Sequence, residues 1–116
     1  PMWIGGRAKP SQAVIERIGQ ISNGWFVLCN PSEIEEMRAK IATEAIKAGR
    51  SATEIGEEAG VAVVGEREHE WKNRVKEWKE IGLSHLCLRT LGGGLKVSQH
   101  VKKLQEVMKE LPGALA

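Results

Sequence analysis

The sequence predicts an α/β fold of four parallel βα units, and three observations lead there. Short apolar runs alternate with amphipathic helical stretches in the order βαβαβαβα. The apolar runs are close to continuous, as in strands of a parallel sheet that helices cover. Four units in 116 residues come to roughly 29 each, against about 31 per unit in a (β/α)8 barrel of about 250 residues. The arithmetic points to a single half-barrel domain over residues 1–116, half of a (β/α)8 TIM barrel. A small open α/β sheet would read almost the same.

Each element has its own signal. "PMWIGG" is an apolar strand that stops at two glycines. In "KPSQAVIERIGQISNG", Ser11 is placed to cap a helix whose apolar face carries Val14, Ile18 and Ile21. Gly24 ends the connection, and Trp25 to Cys29 form the second strand. Pro31 and Ser32 open the next helix, with Ser32 and Glu35 matching the S-x-x-E capping box. Its stripe is Ile34, Met37, Ile41, Ala45 and Ala48, and Gly49 stands where the chain must turn left-handed.

The β-branched run Val61 to Val64 predicts the third strand, with its start through "EIGEEAG" less well defined. A helix follows from about Arg67 to Ile81, burying Trp71, Val75 and Trp78 and ending at Gly82. "LSHLCLRT" is the fourth strand, and "LGGG" the loop after it. The last helix spans about Val97 to Leu111, with Val101, Leu104, Met108 and Leu111 on one face and Pro112-Gly113 as its stop.

Composition excludes several classes. With 41% apolar and 28% charged residues, the chain has an ordinary soluble composition. The net charge is +2, and Lys and Arg interleave with Glu as in "EREHEWKNRVKEWKE", which reads as a solvated helix face rather than a nucleic-acid patch. No apolar run reaches the roughly 20 residues of a membrane span, and no signal-peptide pattern is present. Cys29 and Cys87 lie in apolar runs outside any C-x-x-C pair, and the three histidines lack ligand spacing. No metal site is expected, and reduced thiols fit a cytoplasmic location. The chain begins at Pro1 rather than Met, which reads as processing, truncation or disordered residues missing ahead of Pro1.

Three segments, "PMWIGG", "ISNGWF" and "GLSHLCLRTLGGGL", together resemble the luciferase-like monooxygenase family, whose members use reduced FMN or the deazaflavin coenzyme F-420. The matching features are a strand ending Trp-Ile-Gly-Gly, a turn into the next strand, the Gly82–Leu86 strand, the Gly92–Gly94 loop and a helix carrying His100. Asn23 stands where the family often has Asp. The resemblance covers essentially the whole chain. It implies strands five to eight of the barrel, with the first half absent, and oxidoreductase activity in the complete enzyme.

Candidate site residues follow from both readings. Gly5 and Gly6, with Arg7, suit a cradle for a cofactor phosphate, because glycines let the backbone approach an anion at a helix start. A strand-to-helix turn that needs glycine dihedrals is the competing explanation. Gly92, Gly93 and Gly94 follow the last strand, where loops of (β/α)8 enzymes often bind phosphate. They could equally form a flexible loop. Arg89 and Thr90 are the polar candidates at that strand end, for a phosphate or a substrate carboxylate, or equally for Arg89 a carboxylate of the neighbouring loop. Trp3 and Trp25 are expected to fill the core or the barrel interior, with stacking against an isoalloxazine ring as the alternative. His85 reads as a hydrogen-bonded core histidine, His69 as exposed, and His100 as a partner of the glycine loop. Glu57 and Glu58 read as solvent-facing, and no nucleophile or general base stands out.

Four parallel strands leave two open edges and an unfilled interior. A partner is therefore expected: the missing N-terminal half, a second copy completing the barrel, or a domain swap. Two functions follow: part of an FMN- or deazaflavin-dependent oxidoreductase, or a non-catalytic half-barrel binding or assembly module.

Overall fold

The computed structural model describes all residues from Pro1 to Ala116. The strands are β1 (Trp3–Ile4), β2 (Gly24–Val27), β3 (Gly56–Ala62) and β4 (His85–Arg89). The helices are α1 (Gln12–Ile21), α2 (Ile34–Lys47), α3 (Trp71–Ile81) and α4 (His100–Leu115). All four strands belong to one sheet in the order β1-β2-β3-β4. β1 and β2 pair in parallel, as do β2 and β3, with Trp3 opposite Gly24 and Gly24 opposite Gly56. Ser84, just before β4, bonds the backbone of Glu57, while Val63 N–H donates to Arg89 O. The contacts advance along both strands together, so β4 also runs parallel to β3. The chain divides into two compact units, residues 1–59 with 83–85, and residues 60–82 with 86–116.

In the first unit, Ser11 caps α1 by accepting from Val14 N–H. The buried face of α1 is Ile15, Ile18 and Gly19, not Val14, Ile18 and Ile21; Ile21 is 57% exposed. The difference is a one-residue rotation that brings Gly19 against α2. A Cβ on Gly19 would lie 2.6 Å from Glu44 Cβ and 2.8 Å from Ile41 O. Arg50 then reaches back from beyond α2 to Gly19 O at 2.9 Å and Ser22 O at 2.5 Å, satisfying carbonyls that the end of α1 leaves open. The start of α2 also differs from the expected capping box. A 3-10 turn over Pro31–Glu33 precedes it, and Glu33 rather than Glu35 reaches back, accepting from Asn30 N–H at 3.1 Å. Pro31 stands at the first position of that turn because its missing N–H costs nothing there. Ile34, Met37, Ile41 and Ala45 are buried as expected, but Ala48 is exposed. Gly49 is left-handed, with φ +72°.

Strand β3 begins five residues before the β-branched run that announced it. Its early residues are Gly, Glu, Glu and Ala, poor strand formers taken singly. Tertiary contacts hold them: Gly56 donates to Asn23 O, and Glu57 is tied to Arg38 and Ser84. Asn23 also exchanges hydrogen bonds with Met2, so one residue fastens β1 and the start of β3 to the turn before β2.

In the second unit, Trp71, Val75 and Trp78 are the buried face of α3, and Gly82 ends the helix at φ +86°. Lys72 pairs with Glu110, and Lys79 donates to Leu115 O, linking α3 to α4. α4 does not stop at Pro112-Gly113 but runs on to Leu115. A proline near a helix end sacrifices one hydrogen bond, and Ala114 is buried beyond it. Of α4's apolar residues, only Val107 and Ala114 are fully buried; Val101 and Met108 are largely exposed, as is Val97 in the 3-10 turn before the helix.

Candidate functional site

The Gly5-Gly6-Arg7 loop leaves the C-terminal end of β1 and leads to the α1 N-cap. Neither glycine is left-handed, so the turn does not need glycine dihedrals. Nor does packing demand them. A Cβ on Gly5 would meet Phe26 at 3.5 Å, and one on Gly6 would meet Val14 at 3.4 Å, both ordinary contact distances. Arg7 is exposed. Glycine at these two positions is therefore required neither by a left-handed dihedral nor by a neighbouring atom.

The loop after β4 is different. Gly92 and Gly94 are left-handed, with φ +83° and +76°. Gly93 lies against the turn after β3, where a Cβ would come within 2.6 Å of Val64 Cβ and 2.9 Å of Gly65 N. All three glycines thus have conformational or packing reasons, and the loop is packed onto Val64-Gly65 rather than loose. Thr90 Oγ1 lies 2.8 Å from His100 Nδ1, which pins the strand end to the start of α4. Arg89 projects from the other side of β4. Its side chain crosses Gly60, where a Cβ would lie 2.9 Å from Nε. It is exposed and forms no ion pair with any carboxylate. Within this unit the structure brings Arg89, Thr90 and the three glycines to one strand end, whereas Gly5, Gly6 and Arg7 belong to the first unit.

A further cluster, absent from the expected set, occupies the first unit. Burial alternates along β2, with Trp25 and Val27 buried and Phe26 and the following Leu28 exposed. The sheet face that carries Phe26 is therefore open. Trp3 lies on it across two glycines in register, since Cβ atoms on Gly24 and Gly56 would sit 2.5 Å and 2.7 Å from the indole. Phe26 packs beside Trp3 at 5.8 Å between ring centroids, and His85 stands edge-on to it at 4.9 Å. His85 is exposed rather than a core residue, with Nδ1 2.9 Å from Ser84 Oγ. The signal in the sequence was the Gly-Trp-Phe and Ile-Gly-Glu-Glu spacing, but it needs the strand register to be read.

The adjacent glutamates separate. Glu57, expected in solvent, is 14% exposed and forms a two-point pair with Arg38, at 2.9 Å from Nε and 2.6 Å from Nη2. These hydrogen bonds hold the Arg38 guanidinium above its ordinary pKa, and the Glu35 carboxylate adds to them. Glu58 alternates to the open face and is half-buried. The Cys29 thiol is pushed above its ordinary pKa, first by burial and then by the Glu33 carboxylate, so it is not primed as a nucleophile. A cleft of about 310 Å³ between α3 and α4 is lined by Lys72, Asn73, Lys76 and Glu110, with none of the expected site residues. No group of three or more His, Cys, Asp or Glu side chains is placed to hold a metal ion. No helix is long and apolar enough to cross a membrane. Comparison with protein-family models, curated proteins and solved structures returns no match for this chain.

Proposed function

We propose that this chain is the C-terminal portion of a luciferase-like flavin- or deazaflavin-dependent oxidoreductase, a cytoplasmic protein, and that it supplies cofactor-phosphate contacts. The observation that carries this reading is the strand order. An open doubly wound sheet reverses its order at a switch point, where its ligand binds. Here the order runs β1-β2-β3-β4 without reversal. With the usual right-handed crossovers, such an order sends each helix to the same side of its strands, as in a barrel wall. Gly5, Gly6 and Arg7 then follow one strand at its C-terminal end, and Arg89, Thr90 and Gly92–Gly94 follow another, where (β/α)8 enzymes keep their ligands. Gly5 and Gly6, which neither a dihedral nor a neighbouring atom requires, are the better phosphate candidates of the two sets.

The test is binding of the purified chain to FMN and to coenzyme F-420, followed by calorimetry and thermal unfolding. Saturating cofactor at about a hundred times its dissociation constant should stabilise the fold by about 2.7 kcal/mol. Gly6→Val, which closes the approach, and Arg7→Ala should remove that effect while leaving the unliganded midpoint nearly unchanged. No stabilisation by either cofactor at millimolar concentration would remove the reading.

A second reading, a non-catalytic half-barrel assembly module, has its own support. The three glycines after β4 are explained without a ligand. The apolar residues Val101 and Met108 of α4, with Val97 in the turn before it, lie open. In that case neither cofactor binds, and association with a partner chain is the activity to measure.

A further inference from the structure

We infer that the open sheet face of the first unit carries a binding site for an organic cation, formed by Trp3, Phe26 and Glu58. The site involves none of the glycine-loop residues, and it is accessible in the single chain, before further strands complete a barrel over this face.

The argument begins with where Glu58 points. Along β3, Glu57 reaches Arg38 on α2, while Gly56 lies under Trp3 on the opposite face. Side chains alternate along a strand, so Glu58 shares the Gly56 face. It stands in register with Phe26 on β2, whose side chain is on the same open face. The carboxylate is half-buried, yet no Lys, Arg or His lies within ion-pairing distance of it. Its neighbour Glu57 has a two-point cation of its own, so the contrast lies within one dipeptide. A carboxylate partly removed from water and outside any ion pair favours a cationic ligand.

The aromatic rings supply the rest. Trp3 is laid flat by the glycine shelf of Gly24 and Gly56, and Phe26 tilts toward it at 39°. Faces of Trp and Phe attract a cation through the ring quadrupole, Trp most strongly. One carboxylate beside two aromatic rings is complementary to an ammonium or protonated nitrogen that carries apolar substituents. An inorganic cation, strongly hydrated, would gain nothing from the rings. An anionic ring compound would be repelled by Glu58. The edge-on imidazole of His85 limits the site on the β4 side.

Trp3 also provides the readout. Trp25, Trp71 and Trp78 are buried, so a solute that binds at the surface changes the emission of Trp3 selectively. The experiment titrates the full chain with benzyltrimethylammonium chloride, with sodium benzoate as the anionic comparator and sodium chloride at matched ionic strength. Saturable quenching in the millimolar range is expected with the ammonium salt alone. Glu58→Gln keeps the shape and removes the charge, and should weaken binding about tenfold, as loss of one member of a charge pair does. Trp3→Leu should abolish the saturable signal, with binding checked by calorimetry. Should Trp3→Leu fail to fold, Glu58→Gln remains decisive, because its side chain is not part of the packed core. Linear, unsaturable quenching by the ammonium salt, equal binding of benzoate, or unchanged affinity in Glu58→Gln would each overturn the proposal.

Discussion

At the scale of single residues, the glycines of this chain act for different reasons, and one of them makes a sharp prediction. Gly24 and Gly56 leave room for an indole rather than allowing a turn; neither has a positive φ. Gly24→Ala should therefore destabilise the fold by about 2 kcal/mol through overpacking. The same change in a Trp3→Leu background should cost about 1 kcal/mol less, a coupling that a double-mutant cycle in urea measures directly. Equal costs in both backgrounds would mean that Trp3 does not rest on Gly24. Glu44 predicts a pH effect. It is 3% exposed on α2 and meets Lys47 at 2.9 Å and Gln20 at 3.2 Å. The hydrogen bond from Lys47 lowers its pKa below the ordinary 4.5, with burial opposing and Gln20 adding to the shift. A carboxylate whose folded pKa is lowered contributes stability above its unfolded pKa and loses it as pH falls through the folded value. The thermal midpoint should therefore drop on acidification below pH 4.5, and Glu44→Gln should flatten that drop. Glu36, Glu70 and Glu110 shift the same way through exposed pairs, so the scan belongs at high salt, where surface pairs are screened. A slope at high salt that is identical in wild type and Glu44→Gln would refute the assignment.

At the scale of elements, α1 and α2 meet through Gly19, and two effects oppose each other there. Alanine is favoured over glycine inside a helix by about 1 kcal/mol. The added Cβ would press on Ile41 O and Ala45 N at 2.8 Å and 2.9 Å, which are backbone atoms that cannot swing aside. Overpacking of this kind costs about 1–3 kcal/mol, so Gly19→Ala should lower stability, by about 1 kcal/mol net in chemical denaturation. A gain in stability would show that the two helices separate freely. Gly19 illustrates what was legible in the sequence. The existence and order of all eight elements could be read from periodicity, because amphipathic stripes and β-branched runs are local signals. The face of α1 could not, since Ile15, Ile18 and Gly19 compete with Val14, Ile18 and Ile21 until α2 is known. The start of β3 was likewise hidden, because Asn23, Arg38 and Ser84 hold Gly56 and Glu57 from distant positions. The site was legible only in part. Glycine runs show in a sequence, but whether each glycine serves a dihedral, a neighbour or a ligand depends on φ and on the facing atoms. Glu57 and Glu58 look identical in sequence, and only strand alternation sends one to Arg38 and the other to the open face.

At the scale of the whole molecule, the strand order has a consequence for assembly. β1 has β2 as its single neighbour and β4 has β3, so each leaves one edge without a strand partner. Unpaired backbone groups on such edges recruit other chains. All four strands are parallel, and an eight-stranded barrel accommodates twice that number around a filled interior. Two copies would continue the same order, each β4 edge meeting the β1 edge of the other. Exposed Val101 and Met108 on α4, with Val97 just before it, are the further apolar surface that a second chain would cover. Size-exclusion chromatography with light scattering over micromolar concentrations should therefore give a dimer in rapid or slow exchange with monomer. Val101→Lys with Met108→Lys should shift the mass to monomer. Because both side chains are more than half exposed, that double variant should change the stability of the single chain by only about 0.5 kcal/mol. The separation of the two effects is what gives the measurement force: a loss of assembly together with a loss of fold would locate these residues in the chain's own core. A wild-type chain that stays monomeric throughout, with no other protein present, would mean that its edges are protected without a partner.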